Sequence, residues 1–368
     1  MNSQNIGKSK SFKQHLFYWA AGLLLLLLPL VLSDFRLNLM GKFLTFAIVA
    51  IGIDLIWGYT GILSLGHGVF FSLGAYAMAM YLKLGAEDLP DFMMWSGLLE
   101  LPWLWKPFQY AWLALPMAVC IPMAFALLIG FSTFRAGVKG VYFSILTQAL
   151  ALVFSILFIG QQPYTGGTNG ITNFQDIFGF SLSDSSTTTA LYLVTVVILM
   201  SVFAVSRWLV GTKTGRLLVA IRDGENRLRF LGYSPAAFKT GVFVLSAGLA
   251  GLAGALYVPQ VGIISPSMMG ILPSVEMAMW VAVGGRGRLS GAIIGAILVN
   301  GAKTYLSESF PSIWLYFLGS IFIAVTLFFP DGAMGVLDRI RLPWRGTNSH
   351  LAPGAPVPGF PVRDSAVR

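Results

Sequence analysis

The chain is dominated by apolar runs long enough to cross a lipid bilayer, separated by short polar segments. A helix needs about 20 apolar residues to span a hydrocarbon core of about 30 Å. Runs of that order lie near 16–33, 41–57, 61–82, 111–132, 141–160, 190–209, 240–260, 272–285, 289–306 and 312–330. The expected fold is therefore all-α: a polytopic membrane protein of about ten transmembrane helices. The runs at 41–57 and 272–285 are short and flanked by Gly or Pro, as broken or re-entrant helices along a pathway would be. Short tilted spans would read the same way.

Composition agrees. Charged residues make up 11% of the chain and hydrophobic ones 56%, whereas a soluble domain carries about 25% charged residues. The formal charge of +9 is no argument for nucleic acid, because Lys/Arg excess in such a chain records which loops face the cytoplasm. The single cysteine, Cys120, excludes a disulfide framework and sits in an apolar run, where no thiol site is implied. Nothing in the sequence calls for a cofactor or a metal. The basic start before the first run resembles a signal peptide, but Ser33-Asp34-Phe35-Arg36 is no cleavage site, so the run reads as an uncleaved first span.

Alternating the spans from a cytoplasmic N-terminus puts every basic cluster on one side. These are Lys8, Lys10 and Lys13; Arg135 and Lys139; the 211–239 segment; Arg286 and Arg288; and Arg339, Arg341 and Arg345. The domain reading is a cytoplasmic tail 1–15, a permease domain 16–342 and a Pro/Gly/Ala-rich cytoplasmic tail 343–368 that is expected to be disordered, with both termini inside. Two longer polar stretches, 83–110 and 161–189, fall outside; the first, with its Pro and Trp residues, reads as an interfacial cap.

The segment from Gly211 to Lys239 carries six basic residues against two acids. Charge is expensive in lipid, so it lies outside the bilayer while its flanks lie inside. Leu217, Leu218 and Ile221 share one side of a short helix that Asp223-Gly224 interrupts. A second helix from Glu225 stops at Gly232, a residue suited to the left-handed conformation. Ser234-Pro235 launches the next span. A loop this ordered reads as a docking element; a solvated hairpin that only enforces topology and touches anionic lipid is the alternative.

Here a family resemblance enters. GRLLVAIRDGENRLRFLGYSPAAFK followed by AGLAGLAGALY resembles the ATPase-coupling loop of ABC-importer membrane subunits of the branched-chain amino acid type. GYTGILSLGHGVFFSLGAYAMA and GGRGRLSGAIIGA are similar to other motifs of that family. LPDFMMWSGLLELPWLW and GGTNGITNFQDIFGF resemble the urea-importer subunit more than the amino-acid ones. The resemblance implies that Arg216, Ala220, Arg222, Asp223, Glu225, Arg227 and Gly232 serve coupling, with residues around Ala220 to Gly232 in a groove of a nucleotide-binding subunit. Asn226-Arg227 stand where such loops carry alanines. It also implies a related second permease, two ABC ATPase subunits and an extracytoplasmic solute-binding protein, in the bacterial plasma membrane. The function read from it is urea import, with branched-chain amino acid import as the alternative and a passive urea or ammonia channel behind both.

The chain has no P-loop; Gly7-Lys8-Ser9 lacks the earlier glycine. A proton-driven carrier wants intramembrane carboxylates or histidines in relay, and Asp54, His67 and Glu276, with Lys303 near a span end, are few and far apart in sequence. Ser64 and His67 invite a hydrolase reading, but no positioned base or oxyanion hole is visible. The chain therefore reads as a transport subunit, not an enzyme. A path for a small neutral cargo wants polar, uncharged lining. Ser64, His67, Tyr142, Ser144, Thr147, Gln148 and Asn300 are candidates within spans, Glu276 is a further one about one to two turns from its span's cytoplasmic end, and Thr168 and Asn169 lie in an outer turn. Ala247, Gly248, Gly251, Gly254 and Ala255, and Gly291 with Gly295, predict close helix packing. Gly58-xx-Gly61-x-Leu63-Ser64 is echoed by Gly284-xx-Gly287-x-Leu289-Ser290.

Overall fold

The computed structural model describes residues 20–86 and 89–313 continuously, with Tyr18 and short stretches between 316 and 335. The expected tails 1–15 and 343–368 and most of the span at 312–330 lie outside the described residues. In chain order the helices are α1 (Ala20–Leu30), α2 (Asp34–Thr60), α3 (His67–Ala86), α4 (Asp91–Trp95), α5 (Ala111–Arg135), α6 (Val141–Gly160), α7 (Gln162–Thr165), α8 (Ser185–Gly211), α9 (Lys213–Phe230), α10 (Pro235–Val261), α11 (Ile271–Gly284) and α12 (Leu289–Ser309). Among the described residues α2, α3, α5, α6, α8, α10 and α12 are long and apolar enough to cross a membrane, while α1 and α11 are shorter apolar helices. The chain is thus a helical, multi-pass membrane protein.

The centre of the bundle is α10, packed against α2, α3 and α5. Lipid tails are as apolar as leucine side chains, so close backbone approach rather than the hydrophobic effect holds such helices together. The small residues supply it. A Cβ on Gly254 would overlap the Phe71 carbonyl, and one on Gly74 would lie 2.5 Å from Gly251 Cα. A Cβ on Gly295 would come within 2.7 Å of the Gly284 nitrogen, which closes α11 onto α12. Between these contacts Phe70, Phe134 and Phe143 meet Phe243 edge-on, with centroids 5.3, 6.1 and 5.3 Å away. By contrast α5 and α6 leave most of their surface open.

Two chain breaks depart from simple spans. The expected span 61–82 does not begin as a helix. Gly61, left-handed at φ 75°, stops α2, and residues 61–66 run non-helical to His67. Hydropathy cannot separate an extended apolar stretch from a helical one. Backbone in lipid must still be satisfied, and α6 does this. Ser144 Oγ donates to the Leu63 carbonyl at 2.7 Å, and the Leu65 N–H donates to Thr147 Oγ1 at 3.0 Å. Ser144 and Thr147 thus prop this segment. His67 then bonds Ser246 on α10; by helical rise Ser246 is about 16 Å from the Pro235 end, so α3 starts deep in the bundle.

The second break follows α10. Gly262, at φ 76°, ends that helix. Ile263–Ile264 pairs antiparallel with Ile171–Thr172 of the outer loop, and a 3-10 turn at Pro266–Met269 leads into α11. The Gly68 N–H donates to Ser274 Oγ at 3.1 Å, and Ser274 Oγ donates to the Gly270 carbonyl at 3.0 Å. The starts of α3 and α11 are therefore stitched together inside the bundle. The short run at 272–285 is a half-length helix, as its sequence suggested. The run at 41–57 is not: Asp34, Arg36 and Lys42 depress its hydropathy, yet α2 extends over 27 residues.

Candidate functional site

The 211–239 segment folds as its glycines and proline dictate. α9 is two helices joined at Gly224, whose φ of −175° and ψ of 71° are non-helical. Gly232 is left-handed at φ 83°, and Pro235 opens α10 at its first position with Ser234 before it, although the Ser234 side chain makes no capping bond. Leu218 and Ile221 are buried against the bundle, while Arg216, Arg222, Asp223, Arg227 and Gly232 are exposed and Ala220 is half-buried.

Among the described residues, Lys139 meets the 211–239 segment through Glu225, and Arg222 of that segment and Arg286 both lie against the end of α2. Glu225 gathers three cations. Lys239 on α10 donates to it at 2.8 Å, Arg229 at 3.1 Å, and Lys139, between α5 and α6, lies at 3.5 Å. Partial burial opposes ionisation of Glu225, but the Lys239 hydrogen bond and the charges of Lys239, Lys139 and Arg229 outweigh it and hold the carboxyl below its ordinary value. A lowered native value means that these contacts stabilise the fold fully above the ordinary glutamate value of about 4.3 and are lost as pH falls through the native one. Docking of α9 is therefore insensitive to pH in the neutral range. Glu225→Gln removes the ionic contacts at any pH. It should raise hydrogen exchange in 213–230 by several-fold, a cost on the order of 1 kcal/mol for a partly exposed cluster; unchanged exchange would show that Glu225 does not hold the segment.

Arg222 reaches further. Its Nη1 donates to the Gly58 carbonyl on α2 at 2.8 Å, and its Nε donates to Asp223 at 3.0 Å. Its stem covers Gly61, where a Cβ would lie 3.0 Å from Arg222 Cγ. Gly58 in turn abuts Gly287, between α11 and α12; a Cβ on Gly58 would come within 2.8 Å of Gly287 Cα. One turn back on α2, Asp54 Oδ1 accepts the Gly287 N–H at 2.7 Å. The Arg286 guanidinium lies over Trp57, 5.0 Å from its ring. The two echoed glycine motifs thus touch each other, with the Arg222 side chain at the junction.

The other candidates divide. Ser64 and His67 are fully buried; His67 Nε2 shares a hydrogen bond with Ser246 at 2.7 Å, and Ser64 Oγ has no partner among the described residues. They form no Ser–His pair. Asn300 donates to Ala296 of its own helix. Tyr142 is exposed, Gln148 half-buried, and Thr168 and Asn169 are exposed in the outer loop. Glu276 and Lys303, distant in sequence, meet at 2.7 Å. Among the described residues no cluster could hold a metal ion. Sequence reasoning missed the exposed apolar tip of the segment, Phe230 and Leu231, which are 92% and 73% exposed. Its signal was two large apolar residues next to a terminating glycine.

Comparison with known proteins bears on what this arrangement serves. The family model for the branched-chain amino acid transport system permease component matches residues 35–326. The high-affinity branched-chain amino acid transport system permease protein LivM of Escherichia coli is 27% identical, over 88% of this chain and 75% of its own length. LivH of Salmonella typhimurium is 24% identical over 79% of this chain and 91% of its own. BraD of Pseudomonas aeruginosa, another such permease protein, is 22% identical over 79% and 92%. No solved structure matches.

Proposed function

The chain belongs to the branched-chain amino acid transport permease family, and on that premise we propose that it is the membrane subunit of an ATP-driven importer energised through its 211–239 segment. The observation that carries this reading is the Arg222 side chain, which ties that segment to Gly58 and, across Gly58, to the turn between α11 and α12. A force applied to α9 from outside the membrane would pass into the two elements that carry the echoed motifs. Arg216, Ala220, Asp223, Glu225, Arg227 and Gly232 frame the docking surface, and Phe230 and Leu231 supply the apolar contact that a groove on an ATPase would bury. Energy would come from two separate ABC ATPase subunits.

The similarity to both LivM and LivH supports pairing with a related second permease, and the broad open faces of α5 and α6 suit contact with a partner helix or lipid. An extracytoplasmic solute-binding protein would deliver cargo near Thr168 and Asn169. The protein is a multi-pass component of the bacterial inner membrane.

For the cargo, branched-chain amino acids take precedence over urea. The named relatives are all branched-chain amino acid permeases, whereas the urea reading rests on two outer segments, the part of such a fold freest to vary. The test is uptake by the assembled complex. Labelled leucine should enter only with ATP, and excess urea should not compete. ATP-driven urea entry that leucine leaves unaffected would overturn the cargo, and urea entry without any ATPase would favour a passive channel.

A further inference from the structure

A groove between α1 and α8, with a volume of about 1060 Å³, lies apart from the 211–239 segment and from the candidate pathway residues. α1 is fastened to α8 at three points. Tyr192 Oη donates to the Leu25 carbonyl at 2.9 Å, a Cβ on Gly22 would lie 2.6 Å from Met200 Cε, and the Tyr18 and Phe203 rings stand 5.1 Å apart. The groove is therefore a fixed cleft rather than a gap beside a loose helix. Leu23 and Leu26 of α1 and Val196, Val197 and Ala204 of α8 give it an apolar wall.

Among the described lining residues of this groove Arg207 carries the only charge. By helical rise it lies about 6 Å from the Gly211 end of α8, which leads into the 211–239 segment, and about 17 Å from Val196. A hydrocarbon core of about 30 Å gives each leaflet about 15 Å. The apolar part of the groove thus spans one leaflet, and Arg207 stands at its polar boundary. Trp208, exposed beside it, is a residue type that favours that boundary. The guanidinium lies 4.7 Å from the ring centroid of Tyr18, which keeps the charge at the mouth of the groove. A second cavity, of about 490 Å³, adjoins the groove at Arg207 and is also lined by Tyr59, Arg288 and Ser290. Its described lining holds two cations and no acid. An apolar cleft one leaflet deep that ends at two arginines has the division of a phospholipid: hydrocarbon along the wall, and a phosphate that takes charge-assisted bonds from guanidinium.

We propose that the α1–α8 groove binds one anionic phospholipid of the cytoplasmic leaflet, with an acyl chain along the apolar wall and the headgroup phosphate at Arg207, in the cavity that Arg288 also lines. A zwitterionic headgroup fits less well, because its ammonium would meet two arginines and no carboxylate among the described lining. Tyr59 and Arg288 directly follow Gly58 and Gly287 in the chain, so the headgroup would sit beside the junction that Arg222 reaches. The site holds for either cargo. A helix of the second permease is the competing occupant of the groove.

The full-length chain, purified in detergent, is titrated with phosphatidylglycerol or with phosphatidylcholine of the same acyl chains, and bound lipid is counted by native mass spectrometry. The wild-type chain should hold phosphatidylglycerol about tenfold more tightly than phosphatidylcholine, and Arg207→Gln should reduce that preference to about twofold or less. Ala204→Trp, which fills the groove without touching the charge, should lose the bound phosphatidylglycerol. Arg135→Gln, at an exposed arginine that ends α5, should leave the preference as it is. Equal binding of the two lipids by the wild-type chain, or an equal loss of preference in Arg207→Gln and Arg135→Gln, would overturn the proposal. Displacement of phosphatidylglycerol by inorganic phosphate would overturn it as well, by making the site one for an anion without a chain. So would loss of the lipid when the second permease is co-expressed, with Ala204→Trp then blocking recovery of that subunit, since the groove would belong to the partner.

Discussion

Gly254→Val should prevent the chain from accumulating as a folded bundle. Gly254 faces α3 at the closest helix contact in the protein's centre: the first side-chain carbon would overlap the Phe71 carbonyl and lie 2.9 Å from the Ala75 nitrogen. Both obstacles are backbone, so no rotamer change relieves the clash. α3 and α10 must separate, and with them the Phe70–Phe243 contact and the His67–Ser246 hydrogen bond that fix the start of α3. Overpacking of this kind costs about 3 kcal/mol or more. Gly241, on the same helix, has nothing within 4 Å of its Cβ position, so Gly241→Val meets no obstacle and should leave stability unchanged or raised by less than about 1 kcal/mol, since valine has the better helix propensity. Thermal unfolding of the purified chain in detergent, with its yield in membranes, reads both. Equal behaviour of the two variants would show that the α3–α10 approach is not what holds the bundle.

What the sequence disclosed, it disclosed where the physics is local. Gly224, Gly232 and Pro235 mark the kink, the stop and the restart of the 211–239 segment because backbone freedom at glycine and its loss at proline act within a turn. Long apolar helices were equally legible. The start of α3 was not, because residues 61–66 are as apolar as a helix and their departure from one depends on hydroxyls of Ser144 and Thr147, about eighty positions away. The Glu276–Lys303 pair, 27 positions apart, was hidden for the same reason: it forms only when α11 and α12 pack. The echo between Gly58-xx-Gly61 and Gly284-xx-Gly287 was visible as a pattern; that the two motifs touch, with Arg222 between them, belongs to the tertiary structure alone.

The second large effect concerns that junction. Arg222 is half-exposed, so its worth is not thermal stability; an exposed pair such as Arg222–Asp223 contributes less than about 1 kcal/mol. Its bond to the Gly58 carbonyl is different in kind. It joins a segment outside the membrane to the end of α2, and Asp54 one turn away holds the Gly287 N–H, so motion of α9 has a mechanical route to α11 and α12. Replacing the guanidinium by a carboxylate turns attraction for the Gly58 carbonyl into repulsion while leaving the buried Leu218 and Ile221 anchors and the Glu225 contacts in place. Arg222→Glu should therefore still assemble and still allow ATP to be hydrolysed, but with transport disconnected from it. The direct measurement is the number of ATP molecules hydrolysed per leucine imported by the reconstituted complex. The coupling role predicts that this ratio rises at least about tenfold in Arg222→Glu, through loss of uptake rather than gain of hydrolysis. A ratio equal to that of the wild-type complex would contradict it.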